Sequence, residues 1–249
     1  MRTISISALS RTMSNKPGFG RDASEFLRSI GESCQREDYT SGIGITAIVP
    51  CADRCFEVRI EVNGGGECER YEFLLLAELS ERLELSIGAI EGELMPEIEY
   101  FSEVTKAYFS ACSSFAYAPS SLKGLERKLI QKGLGADVAR EAIEFISSRN
   151  IVDEADVAVR RLELMVKKLW GRTRITLKLR EEGFGAEALV AAEEFLKAVD
   201  FATNCALLIE KKFGCVPRDR DEREKMISSL SRYGYSLSEI KKAISLLKN

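Results

Sequence analysis

Arg160, Arg161, Lys167, Lys168, Arg172, Arg174, Lys178 and Arg180 crowd the stretch from Val157 to Arg180, where the one acid is Glu163. Cations at that density can neutralise phosphates or an acidic face of a protein partner, and these eight are the candidate partner- and DNA-binding residues. Lys167 and Lys168, and later Lys211 and Lys212, also fall at helix ends, where positive charge favours the macrodipole. Trp170, beside Gly171, is able either to stack on a base or to anchor packing. The chemistry this points to is binding. The chain has no histidine, which excludes Ser-His-Asp and Cys-His nucleophilic schemes. Asp153 and Glu154 are adjacent, so on a helix they point apart and are expected to cap its start. No catalytic residue is assigned.

Cofactor and metal sites are not expected either. The glycines at 42 and 44 and at 64 to 66 complete neither GxxxxGK[ST] nor GxGxxG and are read as turns. Seven cysteines, at positions 34, 51, 55, 68, 112, 205 and 215, form an odd and scattered set read as reduced thiols. Cys51, Cys55 and Cys68 match no common zinc spacing. No run approaches the ~20 apolar residues of a membrane span, and the N-terminus lacks the apolar run of a signal peptide, so no membrane partner and a cytoplasmic location are expected.

The elements that must hold the basic stretch come from an internal repeat. Leu125, Lys128, Leu129, Gly133 and Leu134 lead to Val138, Ala142 and Ile146. Ile175, Lys178, Leu179, Gly183 and Phe184 lead in the same way to Ala188 and Ala192. Met226, Leu230, Gly234 and Tyr235 lead to Ile240, Ala243 and Leu247. The glycines at 133, 183 and 234 are thus 50 and 51 residues apart. Each closes an apolar-periodic helix where a left-handed residue is needed, and an apolar residue follows it. Ser236 and Glu239 form a capping box. A third helix, with Val157, Leu162, Met165 and Leu169 on one face, completes the first unit, and Leu207 to Phe213 ends its counterpart in the second. The predicted divisions are 120–169, 170–213 and 214–249, each a bundle of about three short helices, stacked in an elongated array that can grip an extended partner.

Upstream, residues 43–119 are predicted to hold a small antiparallel sheet and connecting helices. Ile43, Ile45, Ala47 and Val49 alternate, as do Phe56, Val58, Ile60 and Val62. Asn63-Gly64 supplies a turn, and a third strand runs from Tyr71 to Leu76. Helical segments follow from Glu78 to Leu85 and from Pro96 to Phe115. Residues 1–42 read as a tail with a marginal helix near Phe26, Leu27 and Ile30. The fold class is therefore mainly α: tandem three-helix repeats with a small β element near the N-terminus. Charge divides along the same line, with 25 basic against 20 acidic residues from 120 on, and 11 against 19 before.

In detail the repeats resemble the RecX family. Gly124-Leu125-Glu126-Arg127-Lys128-Leu129 with Lys132-Gly133-Leu134 is similar to its first repeat motif, with the Glu-Leu order swapped. Asn150-Ile151-Val152-Asp153-Glu154 and Val157-Ala158 resemble its apolar-Asp-Asp segment and aromatic-Ala pair, with Glu154 and Val157 as departures. Gly171, Ile175, Leu179 and Gly183-Phe184 match its second-repeat pattern. The resemblance covers 105 to 249, and the strands of 43 to 76 are similar to the N-terminal sheet of longer members. It implies a regulator of homologous recombination and the SOS response; separately, a monomer is expected. Such a protein lies along the RecA nucleoprotein filament and blocks extension, ATP turnover, strand exchange and repressor coproteolysis by binding. The partner would be the RecA filament, with single- or double-stranded DNA as a further contact. Two other readings rest on the residues alone: a helical DNA-binding protein independent of RecA, and an interaction scaffold whose cations serve solubility.

Overall fold

A computed structural model of the chain describes residues 42–64 and 67–247. The predicted tail and its marginal helix lie outside the described residues. Two compact units divide between Ala107 and Tyr108.

In the first unit, β1 (Gly42–Cys51), β2 (Cys55–Gly64), β3 (Glu67–Leu76) and β4 (Gly88–Ile90) form an antiparallel sheet in the order β3-β2-β1-β4. The sheet has four strands rather than about three, because β4 is only three residues long and too short to show a period of two. Asn63 and Gly64, read as a turn, belong to β2, where they pair with Cys68 and Glu67. Gly42 and Gly44, read as a turn, belong to β1. A bulge between Ile45 and Ala47 reverses the phase of β1, so Ile45 is buried whereas Val49 is exposed. Strand β2 keeps its alternation, burying Phe56, Val58 and Ile60. After α1 (Ala77–Arg82), the long α2 (Met95–Tyr117) begins by burying Ile98, Phe101 and Val104. The Thr105 hydroxyl accepts from the Leu76 amide and donates to the Phe101 carbonyl.

The second unit is helical: α3 (Leu122–Gln131), α4 (Ala136–Ser148), α5 (Glu154–Lys167), α6 (Arg172–Glu182), α7 (Ala186–Lys197), α8 (Phe201–Phe213), α9 (Arg220–Arg232) and α10 (Leu237–Leu246). The glycines at 133, 183 and 234 have φ of 92°, 84° and 96°, and the amide after each returns to a carbonyl five residues earlier: Leu134 to Leu129, Phe184 to Leu179, Tyr235 to Leu230. One helix-ending motif thus occurs three times. The residues of the repeat outline fill the core: Leu125, Leu129, Ile175, Leu179, Met226 and Leu230 are buried, each worth roughly 1.5–3 kcal/mol relative to exposure. The capping box on Ser236 and Glu239 is present. No helix among the described residues is long and apolar enough to cross a membrane.

Packing is offset by one helix from the sequence repeat. α3 pairs with α4, but α5 packs most extensively on α7 and α8 on α10. The third helix of each sequence unit therefore joins the helix pair that follows it, and the predicted third unit, 214–249, holds two helices rather than about three among the described residues. The end of α2 joins the first pair in the same sense. Lys132 donates to the Ser110 and Ser114 hydroxyls, and Arg149 donates to the Tyr108 hydroxyl while lying 5.0 Å from its ring centre.

Candidate functional site

The eight basic residues lie on two consecutive helices. Arg160, Arg161 and Lys167 are on α5, with Lys168 capping it; Arg172, Arg174, Lys178 and Arg180 are on α6. Asp153 caps α5 by accepting from the Asp156 amide, as expected. Leu169, left-handed at φ 57°, ends that helix and delivers Trp170 and Gly171 to the start of α6.

Five of the eight are occupied within the chain. Arg160 pairs with Asp156 at 2.8 Å one turn back, and Lys178 with Glu181 at 3.2 Å. Arg161 makes a two-pronged contact with Glu182, at 3.0 and 3.2 Å. Arg172 donates to the Leu196 carbonyl at 2.9 Å and lies 5.3 Å from the Phe201 ring centre, which gives it a packing role. Arg174 lies 4.0 Å from the Trp170 ring centre and 5.5 Å from that of Tyr233. Lys167, Lys168 and Arg180 are exposed, and their side chains make neither an ion pair nor a hydrogen bond among the described residues. The basic stretch is thus not one uniform strip. It comprises three free cations, two surface pairs, one bidentate pair, one packing arginine and one stacked on aromatic rings.

Two further residues extend the stacked group. Lys212 lies 4.6 Å from the Tyr233 ring centre, 5.7 Å from that of Phe213 and 2.9 Å from the Ser229 hydroxyl. Alternating cations and rings therefore run from Trp170 through Arg174 and Tyr233 to Lys212. Beside them a groove of about 400 Å³ is lined by Trp170, Thr173, Arg174, Leu177, Lys178 and Arg232, among others. Sequence reasoning missed Arg232 and Tyr233 because they are brought to α6 by the turn at Gly234, more than fifty residues downstream. The available signal was the repeat itself, since the same turn in the preceding unit carries Glu181 and Glu182.

That turn seats the start of the helix one unit earlier, twice. At the first seat the Ser121 hydroxyl donates to the Glu182 carbonyl at 2.6 Å and Arg127 to the Glu181 carbonyl at 3.0 Å. At the second, the amides of Gly171 and Thr173 donate to the carbonyls of Tyr233 and Gly234, at 2.8 and 3.2 Å, and the Tyr235 hydroxyl to the Leu169 carbonyl at 2.9 Å. Burial pushes the Tyr235 phenol well above its ordinary range and the neighbouring Cys205 thiol up to about 12. Glu154 does not cap its own helix. Its carboxylate accepts from the Leu122 amide at 2.6 Å and the Gly185 amide at 3.1 Å, tying the starts of α3 and α7 together.

The chain is 30% identical over 126 residues to the regulatory protein RecX of Pelodictyon phaeoclathratiforme, covering 49% of this chain and 77% of that protein. It is 27% identical over 124 residues to the RecX of Stenotrophomonas maltophilia, covering 49% and 76%. The fold is similar to a crystal structure of regulatory protein RecX with a TM-score of 0.61 and 16% identity, over 81% of this chain and 98% of that one. No protein-family model matches the chain. The three-fold turn motif, the offset three-helix packing and this likeness lead to one conclusion: the chain belongs to the RecX family of regulatory proteins.

Proposed function

We propose that this protein regulates the RecA recombinase by binding the RecA–single-stranded DNA filament, most directly as an inhibitor of its extension and ATP turnover. Family membership supports RecA as the partner. The observation in this chain that supports the reading is the set of three cations unpaired among the described residues, Lys167, Lys168 and Arg180, on two consecutive helices of the repeats. A cation already paired within the chain gains little by moving to a phosphate, because it must first leave its own carboxylate. An unpaired one exchanges only water and counterions. These three are therefore the phosphate contacts, while Arg160, Arg161, Arg172, Arg174 and Lys178 serve the protein side of the interface or its packing. The function is binding, not catalysis.

The test is DNA-dependent ATP hydrolysis by RecA of the same organism, titrated with this protein and with the variant Lys167→Ala, Lys168→Ala, Arg180→Ala. The parent is expected to inhibit at less than one molecule per RecA. The variant should require about tenfold more protein and lower the salt slope by about one per cation removed. A parent that leaves hydrolysis unchanged while still binding DNA would sink the RecA reading in favour of an independent DNA-binding protein.

A further inference from the structure

The groove beside Trp170 has a composition that phosphodiester does not explain. Arg174 is held between the Trp170 and Tyr233 rings, yet its guanidinium takes no carboxylate or hydrogen-bond acceptor among the described residues. Five N–H donors on a rigid fork are thus left for a ligand. Arg232, which also lines the groove, is likewise without an acceptor among the described residues. In the same lining Leu177 stands 53% exposed, and Glu181 holds Lys178. The two arginines call for an acid and Leu177 for an apolar cover; a nucleic-acid strand repeats its charge at every residue and has no aliphatic side chain for the second. A protein segment with a carboxylate beside a large apolar side chain satisfies both: the acid meets Arg174 and Arg232, and the apolar group covers Leu177 and the edge of Trp170. Aromatic and arginine anchors around a partly apolar centre are also what protein interfaces favour.

We propose that the groove between α6 and the end of α9 is a docking site for an acidic segment of a protein partner, recognised through an apolar residue next to a carboxylate. The site rests on the RecA reading only for the identity of that partner. In that reading the groove grips the protein part of the filament, and the free cations of α5 and α6 meet its DNA.

Trp170 is the chain's one tryptophan, so its emission reports the groove alone. The experiment titrates the full chain with a capped peptide, Gly-Asp-Leu-Glu-Phe-Glu-Leu-Asp-Gly. Controls are the same peptide with Asn and Gln for its acids, and a fifteen-base oligothymidylate. The acidic peptide is expected to shift Trp170 emission saturably, and the amide peptide and oligothymidylate are not. Arg174→Gln and Arg232→Gln should each weaken binding about tenfold, as loss of a charge-assisted contact does. Because Arg174 also stacks, Leu177→Ser provides the check that needs no change to packed residues, and it should weaken binding by about threefold. No saturable shift, or a shift with oligothymidylate that depends on Arg174, would overturn the proposal. No RecA is present in this titration. A failed titration beside intact inhibition of RecA sinks the groove alone, and a successful one beside unaffected RecA sinks the RecA reading alone.

Discussion

The two seats where one unit's helix start meets the next unit's glycine turn share a backbone plan and differ in side-chain chemistry. At the first, Ser121, Lys123 and Arg127 face Glu181, Glu182 and Gly183, and the α5 carboxylate of Glu154 bridges two helix starts. At the second, Gly171 lies directly on Gly234, Tyr235 hydrogen-bonds to Leu169, and arginines stack on Trp170, Tyr233 and Phe201. Asp153 and Asp200 cap their helices alike, but the next residue is Glu154 in one case and Phe201 in the other. Where Glu154 uses a carboxylate, Phe201 uses a buried ring that Arg172 covers. The first seat therefore depends on hydrogen bonds to charge, the second on close backbone contact and rings. A repeat keeps its geometry through the turn and leaves the interface chemistry free to vary.

Gly171→Ala strikes the second seat at its closest contact. A Cβ there would lie 2.2 Å from the Gly234 carbonyl carbon and 2.4 Å from the Tyr235 nitrogen, so backbone must move. The equivalent position in the preceding unit is already a serine. We expect about 3 kcal/mol of destabilisation, measured as a lower denaturation midpoint. The loss should open the α8–α10 side of the unit. Cys205, fully buried there and with its thiol pushed up to about 12, should then be alkylated far faster than in the parent, while exposed Cys68 and Cys215 react at unchanged rates. Equal acceleration at all sites would mean that the seat is not a local lock.

At the other seat, Glu154→Ala removes the acceptor of the Leu122 and Gly185 amides. The expected cost is about 2 kcal/mol, because two amides at helix starts lose a charged partner. Glu154→Gln should recover part of it, since an amide oxygen still accepts from one donor. A loss below about 0.5 kcal/mol for the alanine variant would show that water replaces the carboxylate freely.

Much of this was legible in the sequence, and the failures have definite causes. The buried faces at Leu125, Leu129, Ile175, Leu179, Met226 and Leu230 follow from spacing, and the glycine turns from the need for a left-handed residue. Those are local rules. What the sequence hid is non-local. Nothing near Val157 shows that α5 joins the pair that follows it, because a helix with one apolar face suits either neighbour. The basic stretch reads as a unit since charge is countable along the chain, but the contacts that divide it cross between helices: Arg161 of α5 reaches Glu182 at the end of α6, and Leu196 and Tyr233 come from α7 and the end of α9. Glu154 sits at a helix start as its sequence neighbours suggest, but the amides it accepts from belong to α3 and to the residue preceding α7. The bulge in β1 has no mark in the sequence: Thr46 is as acceptable in a regular strand as in a kinked one.

The smallest expected effect separates packing from charge at the second seat. Arg172→Lys keeps the positive charge but replaces a planar fork by a single ammonium. Arg172 now bonds the Leu196 carbonyl while lying over Phe201, and one lysine nitrogen is poorly shaped to do both. The cost should be about 1 kcal/mol, with no change in its salt dependence, because neither a carbonyl nor a ring quadrupole brings a counter-charge that added salt would screen. The control is Arg161→Ala at the first seat, which removes a half-exposed pair with Glu182 and should cost up to about 1 kcal/mol that shrinks in high salt. Similar losses with opposite salt behaviour are what the two chemistries require. If both losses shrink alike in salt, the second seat is held by charge after all, and the contrast between the seats reduces to the glycine contact.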